Sequence, residues 1–220
     1  MLERLAGWFE RRIPLVRVIR DDLTKPEPLG IGWLHCFGSS MLTLLIVQIV
    51  TGVMLAWNYS PTPDHAWDSV QYLTYQVPLG GFLRGLHRWS ASVLVVVLAL
   101  HVMRVFFWGA YKFPRETTWV IGACLGLLIL GFAFTGYLLP WDQKAYWATT
   151  VGTRIAEVTP LVGRWILLLM RGGEELTGVT LARFYGVHVW ALPATLMMLL
   201  LAHLYLVVRI GISAAPTRGD

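Results

Sequence analysis

The sequence predicts an all-α membrane protein: a bundle of four membrane-spanning helices with short surface helices in its third connection. Three observations predict it. Four segments, at about residues 33–57, 86–108, 118–139 and 184–212, reach the ~20 mostly apolar residues needed to cross hydrocarbon. The chain is 56% hydrophobic and only 14% charged, with a mean hydropathy of +0.58, whereas a soluble domain carries ~25% charged residues. It also holds 11 tryptophans, a residue that concentrates where membranes meet water. The net charge of +5 comes from Lys and Arg that flank the apolar segments instead of forming one patch, so nucleic-acid binding is excluded in favour of membrane topology. Two cysteines, Cys36 and Cys124, both in apolar surroundings, make no disulfide framework, and no C-x-x-C-H haem-attachment motif occurs.

Residues 1–32 lack the uninterrupted apolar core of a signal peptide. Leu2, Leu5, Trp8, Phe9 and Ile13 alternate with Arg and Glu, which predicts an amphipathic arm on the membrane surface. In the fourth span, Thr180 is the expected N-cap and Pro193 an expected kink. Orientation follows from basic residues. The arm holds Arg4, Arg11, Arg12, Arg17, Arg20 and Lys25, and the second connection holds Arg104, Lys112 and Arg115, while the first connection has only Asp64 and Asp68. Both termini, including the tail 213–220, are therefore expected on the cytoplasmic-type (n) side. The third connection is too long for a turn, and its stretch at about 142–172 reads as two amphipathic helices on the opposite (p) surface. The second of these is expected to start with Thr159 as N-cap and Pro160 in the first position.

The chemistry rests on histidines. The second span carries His87 and His101, 14 positions apart, which places them ~21 Å apart and within about 40° of one helix face. The fourth span carries His188 and His203, 15 apart. Both spans enter from the p side, so His87 pairs with His188 near that surface and His101 with His203 near the n side. Ionisable groups inside membrane helices are costly and mark function. Two facing pairs suit bis-histidine haem iron better than zinc, which needs its ligands in one cluster. The chain thus reads as a haem-binding bundle; the rival, four unrelated buried histidines, leaves the matched heights unexplained.

Glycines repeat the period. Gly38 and Gly52 on the first span, and Gly122 and Gly136 on the third, are each 14 apart. They give each haem level two positions where backbone can come close, although small residues also serve ordinary helix contacts. Arg84, Arg88, Arg104, Arg115 and Arg183 stand near the histidines, suited to haem propionates or simply snorkelling to the interface.

These features, together with HRWSAS (His87 to Ser92), RVFFWGAYKFPRE (Arg104 to Glu116), GYLLPWDQ (Gly136 to Gln143) and RIGIS (Arg209 to Ser213), resemble the cytochrome b family over nearly the whole chain. Four spans, PWDQ and the 15-residue spacing resemble its short cytochrome b6 type, found in chloroplasts and in bacterial menaquinol:cytochrome c reductases.

The resemblance implies a subunit of a quinol:cytochrome c oxidoreductase that binds two haem b groups and carries electrons from quinol oxidised at the p side to quinone at the n side, in a Q-cycle. It implies iron ligation by His87 and His188 at the p side and by His101 and His203 at the n side. It implies a quinol-oxidation pocket walled by Tyr137, Pro140, Trp141, Trp147, Ala148 and Val151, and a third haem held covalently by Cys36. Val208 stands where cytochrome b6 has an arginine, with Arg209 following. The implied partners are a separate three-helix subunit carrying a PEWY motif, a Rieske iron–sulfur protein and a cytochrome c-type subunit, in a dimeric complex. The other readings are a di-haem membrane anchor that wires quinone to a peripheral dehydrogenase or reductase, and a transporter whose histidines relay protons.

Overall fold

The computed structural model describes residues 31–213. The amphipathic arm expected before residue 31 and the tail after residue 213 lie outside the described residues. The described residues are all-helical, and four helices are long and apolar enough to cross a membrane: Trp33–Ala56, Gly80–Phe107, Glu116–Leu138 and Gly178–Ile210. Inside hydrocarbon only a helix satisfies every backbone N–H and C=O within its own segment, so runs this apolar have no other stable form.

The first span begins with a 3-10 turn at Trp33–Cys36 and continues as α1, Phe37–Ala56. A short helix absent from the sequence reading, α2 (Ala66–Tyr75), follows on the surface. It is amphipathic, burying Ala66, Val70 and Leu73. The second span, α3 (Gly80–Phe107), starts several residues before its apolar core. It is ~42 Å long at 1.5 Å per residue, so its first turns stand clear of hydrocarbon. The third span is α4, Glu116–Leu138.

Two surface helices follow, α5 (Gln143–Glu157) and α6 (Gly163–Arg171). Asp142 caps α5 by accepting from the Ala145 N–H at 2.7 Å. The sequence placed the start of α6 at Thr159–Pro160, but Leu161 adopts φ 69°, which interrupts the chain there, and the helix starts after Val162. The fourth span opens as α7, Gly178–Gly186, capped by Thr177 instead of Thr180. Thr180 is instead the third residue of that capping box, and its hydroxyl faces the Thr177 N–H at 3.1 Å.

The fourth span then widens into a π-turn at Val187–Ala191 and resumes as α8, Leu192–Ile210. Pro193 has no N–H to offer the Val189 carbonyl, so the helix is interrupted just upstream of it. A π-turn holds one extra residue. It contains His188 and runs on toward His203, which explains why their spacing is one longer than that of His87 and His101.

Packing divides the spans into two pairs, the first span along the second and the third along the fourth, with sparser contact between the second and third. At mid-height the spans meet in one buried apolar layer: Leu45 from α1, Leu94 and Leu98 from α3, Leu125 and Ile129 from α4, and Leu196 from α8. Each of these residues lies between the two histidine or glycine levels of its own helix. Only 6 to 17% of each span's most apolar stretch is buried within the chain. Most of that apolar surface therefore faces lipid or other molecules.

One face of the bundle carries α2, α5 and α6. The opposite face gathers both ends of the described chain, where Arg115 donates from Nε to the Gly211 carbonyl and from Nη2 to the Ile212 carbonyl, at 3.2 Å each. We refer to these as the surface-helix face and the terminal face.

Candidate functional site

The four histidines form two levels. His87 and His188 lie within electrostatic reach of each other near the surface-helix face, as do His101 and His203 near the terminal face. The two rings of each pair come from different helix pairs, so each level bridges the gap between them.

The glycines explain how the rings fit. A Cβ added at Gly52 would stand 3.2 Å from Cε1 of His87, and one at Gly38 would stand 3.8 Å from Cε1 of His101. On the other side, a Cβ at Gly136 would come within 2.7 Å of His188 Cε1, and one at Gly122 within 3.0 Å of His203 Cε1. Each glycine therefore makes room for the edge of one imidazole, first span to second and third to fourth. The sequence predicts close backbone approach at these four glycines, and each one stands beside the edge of a histidine ring.

At the surface-helix level, each ring is also held by a threonine. Thr51 Oγ1 lies 2.8 Å from His87 Nδ1, and Thr135 Oγ1 lies 3.0 Å from His188 Nδ1. Each hydroxyl already donates to the carbonyl four residues back, Val47 at 2.6 Å and Gly131 at 2.8 Å. Its remaining role toward the ring is acceptor, so Nδ1 carries the proton and Nε2 keeps its lone pair. At the terminal level the same helix positions are Phe37 and Ile121. His203 lies against the Thr118 backbone, but its buried Nδ1 makes no hydrogen bond of ordinary geometry among the described residues. Sequence reasoning missed both threonines, though the dipeptide Thr-Gly at 51–52 and 135–136 was a readable signal.

This donor set fits haem. Each level offers two facing imidazoles and no third protein ligand: among the described residues no three His, Cys, Asp or Glu side chains gather as a metal cluster. A haem iron, which brings four ligands of its own, would take two more from the protein, whereas a bare ion such as zinc needs a fuller protein set.

The arginines divide. Arg104 donates from Nη2 to the Ser213 carbonyl at 3.4 Å, sits 4.5 Å above the Trp108 ring, and keeps a buried Nε without a partner. Arg84 reaches Thr74 Oγ1 at 3.3 Å, and Arg183 donates to the Leu168 and Leu169 carbonyls at 3.2 and 2.6 Å. Arg84 and Arg183 thus tie surface helices to spans, a duty the sequence did not predict, while Arg88 is exposed. Cys36 is an exposed free thiol at the start of the first span. Its neighbours are Trp33 and Leu34, both exposed, and His35, which bonds through Nε2 to the Ser213 carbonyl at 3.2 Å.

At the surface-helix face a cavity of about 310 Å³ opens between the end of α4 and the start of α5, lined by Ala133, Phe134, Tyr137, Ala148 and Thr149. Of the residues expected around a quinol, Tyr137 and Ala148 line it. Trp141 turns back into the buried cluster of Ala66, Leu138, Leu181 and Phe184. Pro140 lies in the turn before it, and Trp147 and Val151 are on the exposed side of α5. Phe134 and Thr149 were not foreseen, and Oγ1 of Thr149 is buried without a hydrogen-bond partner among the described residues.

Beneath the cavity, Arg171 holds the surface helices together. It is 3% exposed and donates to Thr153 Oγ1 at 2.8 Å, to the Thr150 carbonyl at 3.0 Å and to the Glu174 carbonyl at 2.7 Å. Nearby, the Tyr59 hydroxyl donates to the Leu139 carbonyl at 2.6 Å, and burial, with Tyr185 stacked beside it, raises its pKa.

Comparison with known proteins agrees with this architecture. Residues 22–211 match the family model described as cytochrome b/b6/petB. The menaquinol:cytochrome c reductase cytochrome b subunit of Geobacillus thermodenitrificans is 42% identical, with 97% of this chain and 99% of that one aligned. Cytochrome b6 of Cyanidium caldarium is 40% identical over 96% and 99% of the two chains. A solved chain of a hyperthermophilic respiratory complex III superposes with a TM-score of 0.86 at 30% identity; the match covers 97% of this chain but only 58% of that one. Four apolar spans, the family-model match and relatives aligned over nearly their whole length make this chain an integral membrane protein of the cytochrome b/b6 family.

Proposed function

We propose that the chain is the di-haem subunit of a bc- or b6f-type quinol:cytochrome c oxidoreductase, carrying electrons from quinol oxidised at the surface-helix (p) face to quinone at the terminal (n) face. The observation that carries this reading is the pair of histidine levels, each ring backed by a glycine of the neighbouring span. His87 and His188 would hold one haem b, and His101 and His203 the other. When bound, haem supplies one-electron redox chemistry at each level.

The chain's own part is positional. The imidazoles fix two sites at opposite depths, and the layer of Leu45, Leu94, Leu98, Leu125, Ile129 and Leu196 keeps the space between them dry. An apolar layer of this kind lets electrons pass while excluding ions and water. The cavity is of the size that small-molecule sites occupy, and a quinol head group there would meet apolar walls, the Tyr137 ring and the unpartnered Thr149 hydroxyl. Gly38, Gly52, Gly122 and Gly136 would keep the ligand rings seated. Arg104 and Arg115, already at the terminal face, would meet propionates there, with Arg84, Arg88 and Arg183 near the other face.

The same reading includes a third haem joined to Cys36 by a thioether, whose thiol is exposed as that bond requires. It also includes a PEWY-bearing three-helix subunit, a Rieske protein and a cytochrome c as partners, in a dimer in a bacterial inner membrane with both termini on the n side. A membrane anchor for a peripheral dehydrogenase would need neither the surface helices α5 and α6, which Arg171 holds together, nor Cys36.

The test is spectroscopic. The purified complex is expected to show reduced b-type bands for two haems, haem retained after acid–acetone extraction, and a Rieske iron–sulfur signal. His87→Leu is expected to remove one b haem. Unchanged haem content would refute its role as a ligand, and absence of the Rieske signal would sink the Q-cycle assignment.

A further inference from the structure

The two histidine levels differ in what stands behind the rings. At the surface-helix level, Thr51 and Thr135 occupy the positions immediately before Gly52 and Gly136, and each is buried, at 2% and 8% exposure. Each hydroxyl is a donor to its own helix, at 2.6 Å to Val47 and 2.8 Å to Gly131, so toward the imidazole only its lone pairs remain. A threonine bonding back to its own helix is ordinary by itself. Two of them, at equivalent positions on two spans and each within 3.0 Å of the Nδ1 of a facing histidine, make a paired arrangement. Fourteen residues away on each helix the corresponding positions, Phe37 and Ile121, have side chains that cannot accept a hydrogen bond.

We infer that Thr51 and Thr135 are positioning residues for the iron at the surface-helix level: by accepting from Nδ1 of His87 and His188 they fix the tautomer that leaves Nε2 for the metal and lower that level's reduction potential below the value it would have without them. This rests on the haem reading of the four histidines. The physical basis is general: an acceptor on the far nitrogen of a ligating imidazole sets its orientation and raises its basicity. A more basic ligand favours the oxidised iron, and hydrogen bonding to ligands is one of the levers by which proteins set potentials. Hydroxyl acceptors from this position stand at one level only; at the other, the Thr118 backbone lies against His203.

The experiment uses the intact complex and reads the two haems by redox titration and by the low-spin ferric resonances. Thr51→Val and Thr135→Val are expected to raise the potential of the surface-helix haem by about tenfold in its reduction equilibrium, or 59 mV for one electron, and to shift its resonance. The other haem should stay where it is. Thr51→Ser, which keeps the hydroxyl, is expected to retain the parent potential, and Thr51→Cys, a weaker acceptor of similar shape, to give a raised one. If the valine variants lose the haem, the serine–cysteine pair decides. Potentials and resonances equal to the parent in the valine variants, or in both serine and cysteine variants, overturn the inference. Retention of both haems in His87→Leu would instead overturn the haem reading beneath it, so the two failures are distinguishable.

Discussion

The two histidine levels are built from the same helices at the same spacing, yet they are secured differently. Near the surface-helix face both rings press on glycines and bond to threonines, and α5 and α6 lie overhead, tied down by Arg171. Near the terminal face the contact at Gly38 is loose, at 3.8 Å, although that at Gly122 is tight, at 3.0 Å, and His203 meets the Thr118 backbone instead of a threonine hydroxyl. There the surroundings are cationic, with Arg104 and Arg115 bonded to the chain's last described carbonyls. The contrast teaches that a repeated period places ligands, while the neighbours at each level determine how tightly they are held and in what electrostatic setting.

Alanine in place of glycine tests the difference most severely. Gly136→Ala puts a methyl 2.7 Å from His188 Cε1, closer than real Cβ contacts come, so the ring must move. Loss or marked spectral change of the surface-helix haem is expected. Gly38→Ala meets only an ordinary 3.8 Å contact and is expected to leave both haems in place. Equal loss in both variants would break the comparison; the readout is haem content per complex.

Arg171→Ala is expected next in size. It removes three hydrogen bonds, one of them fully buried, and leaves the partly buried carbonyls of Thr150 and Glu174 to find other partners, a cost of about 2–4 kcal/mol summed over such contacts. Thermal melts should show early loss of the surface-helix haem, with the terminal one surviving to higher temperature. Simultaneous loss would mean the surface helices do not stabilise their level separately.

At the other face, Arg115→Ala releases Gly211 and Ile212. The bonds are partly solvent-exposed, so about 1 kcal/mol is expected, together with a change confined to the spectrum of the terminal haem.

Tyr59→Phe carries the smallest effect, about 1 kcal/mol for the lost bond to Leu139, and it has a pH signature. Burial raises the Tyr59 pKa in the folded protein, so its contribution is complete below the unfolded value of about 10. It is lost as pH climbs through the folded value. Stability of the parent should therefore fall above pH ~10 more steeply than that of the variant, as followed by melts across the alkaline range.

The sequence by itself determined the spans, the histidine pairing and the glycine period. These are one-dimensional signals: long apolar runs have only the helix open to them in hydrocarbon, and a rigid helical repeat turns residue spacing into height. Of the residues that the family resemblance implied around a quinol, Tyr137 and Ala148 line the cavity. Tertiary structure decided what spacing cannot carry. The π-turn at Val187–Ala191 shows that the longer histidine spacing accommodates an extra residue without changing the level. Thr177 replaced Thr180 as cap because both are competent by type, and only the direction of the incoming chain chooses between them. Trp141 turned inward onto Ala66, Leu138, Leu181 and Phe184, residues of α2, α7 and the end of α4, while Trp147 faces outward on α5. Thr51 and Thr135 escaped notice for the same reason. A threonine in an apolar helix looks like any other until a ring on a neighbouring helix is placed 3 Å from its hydroxyl, and that is a fact about two helices together.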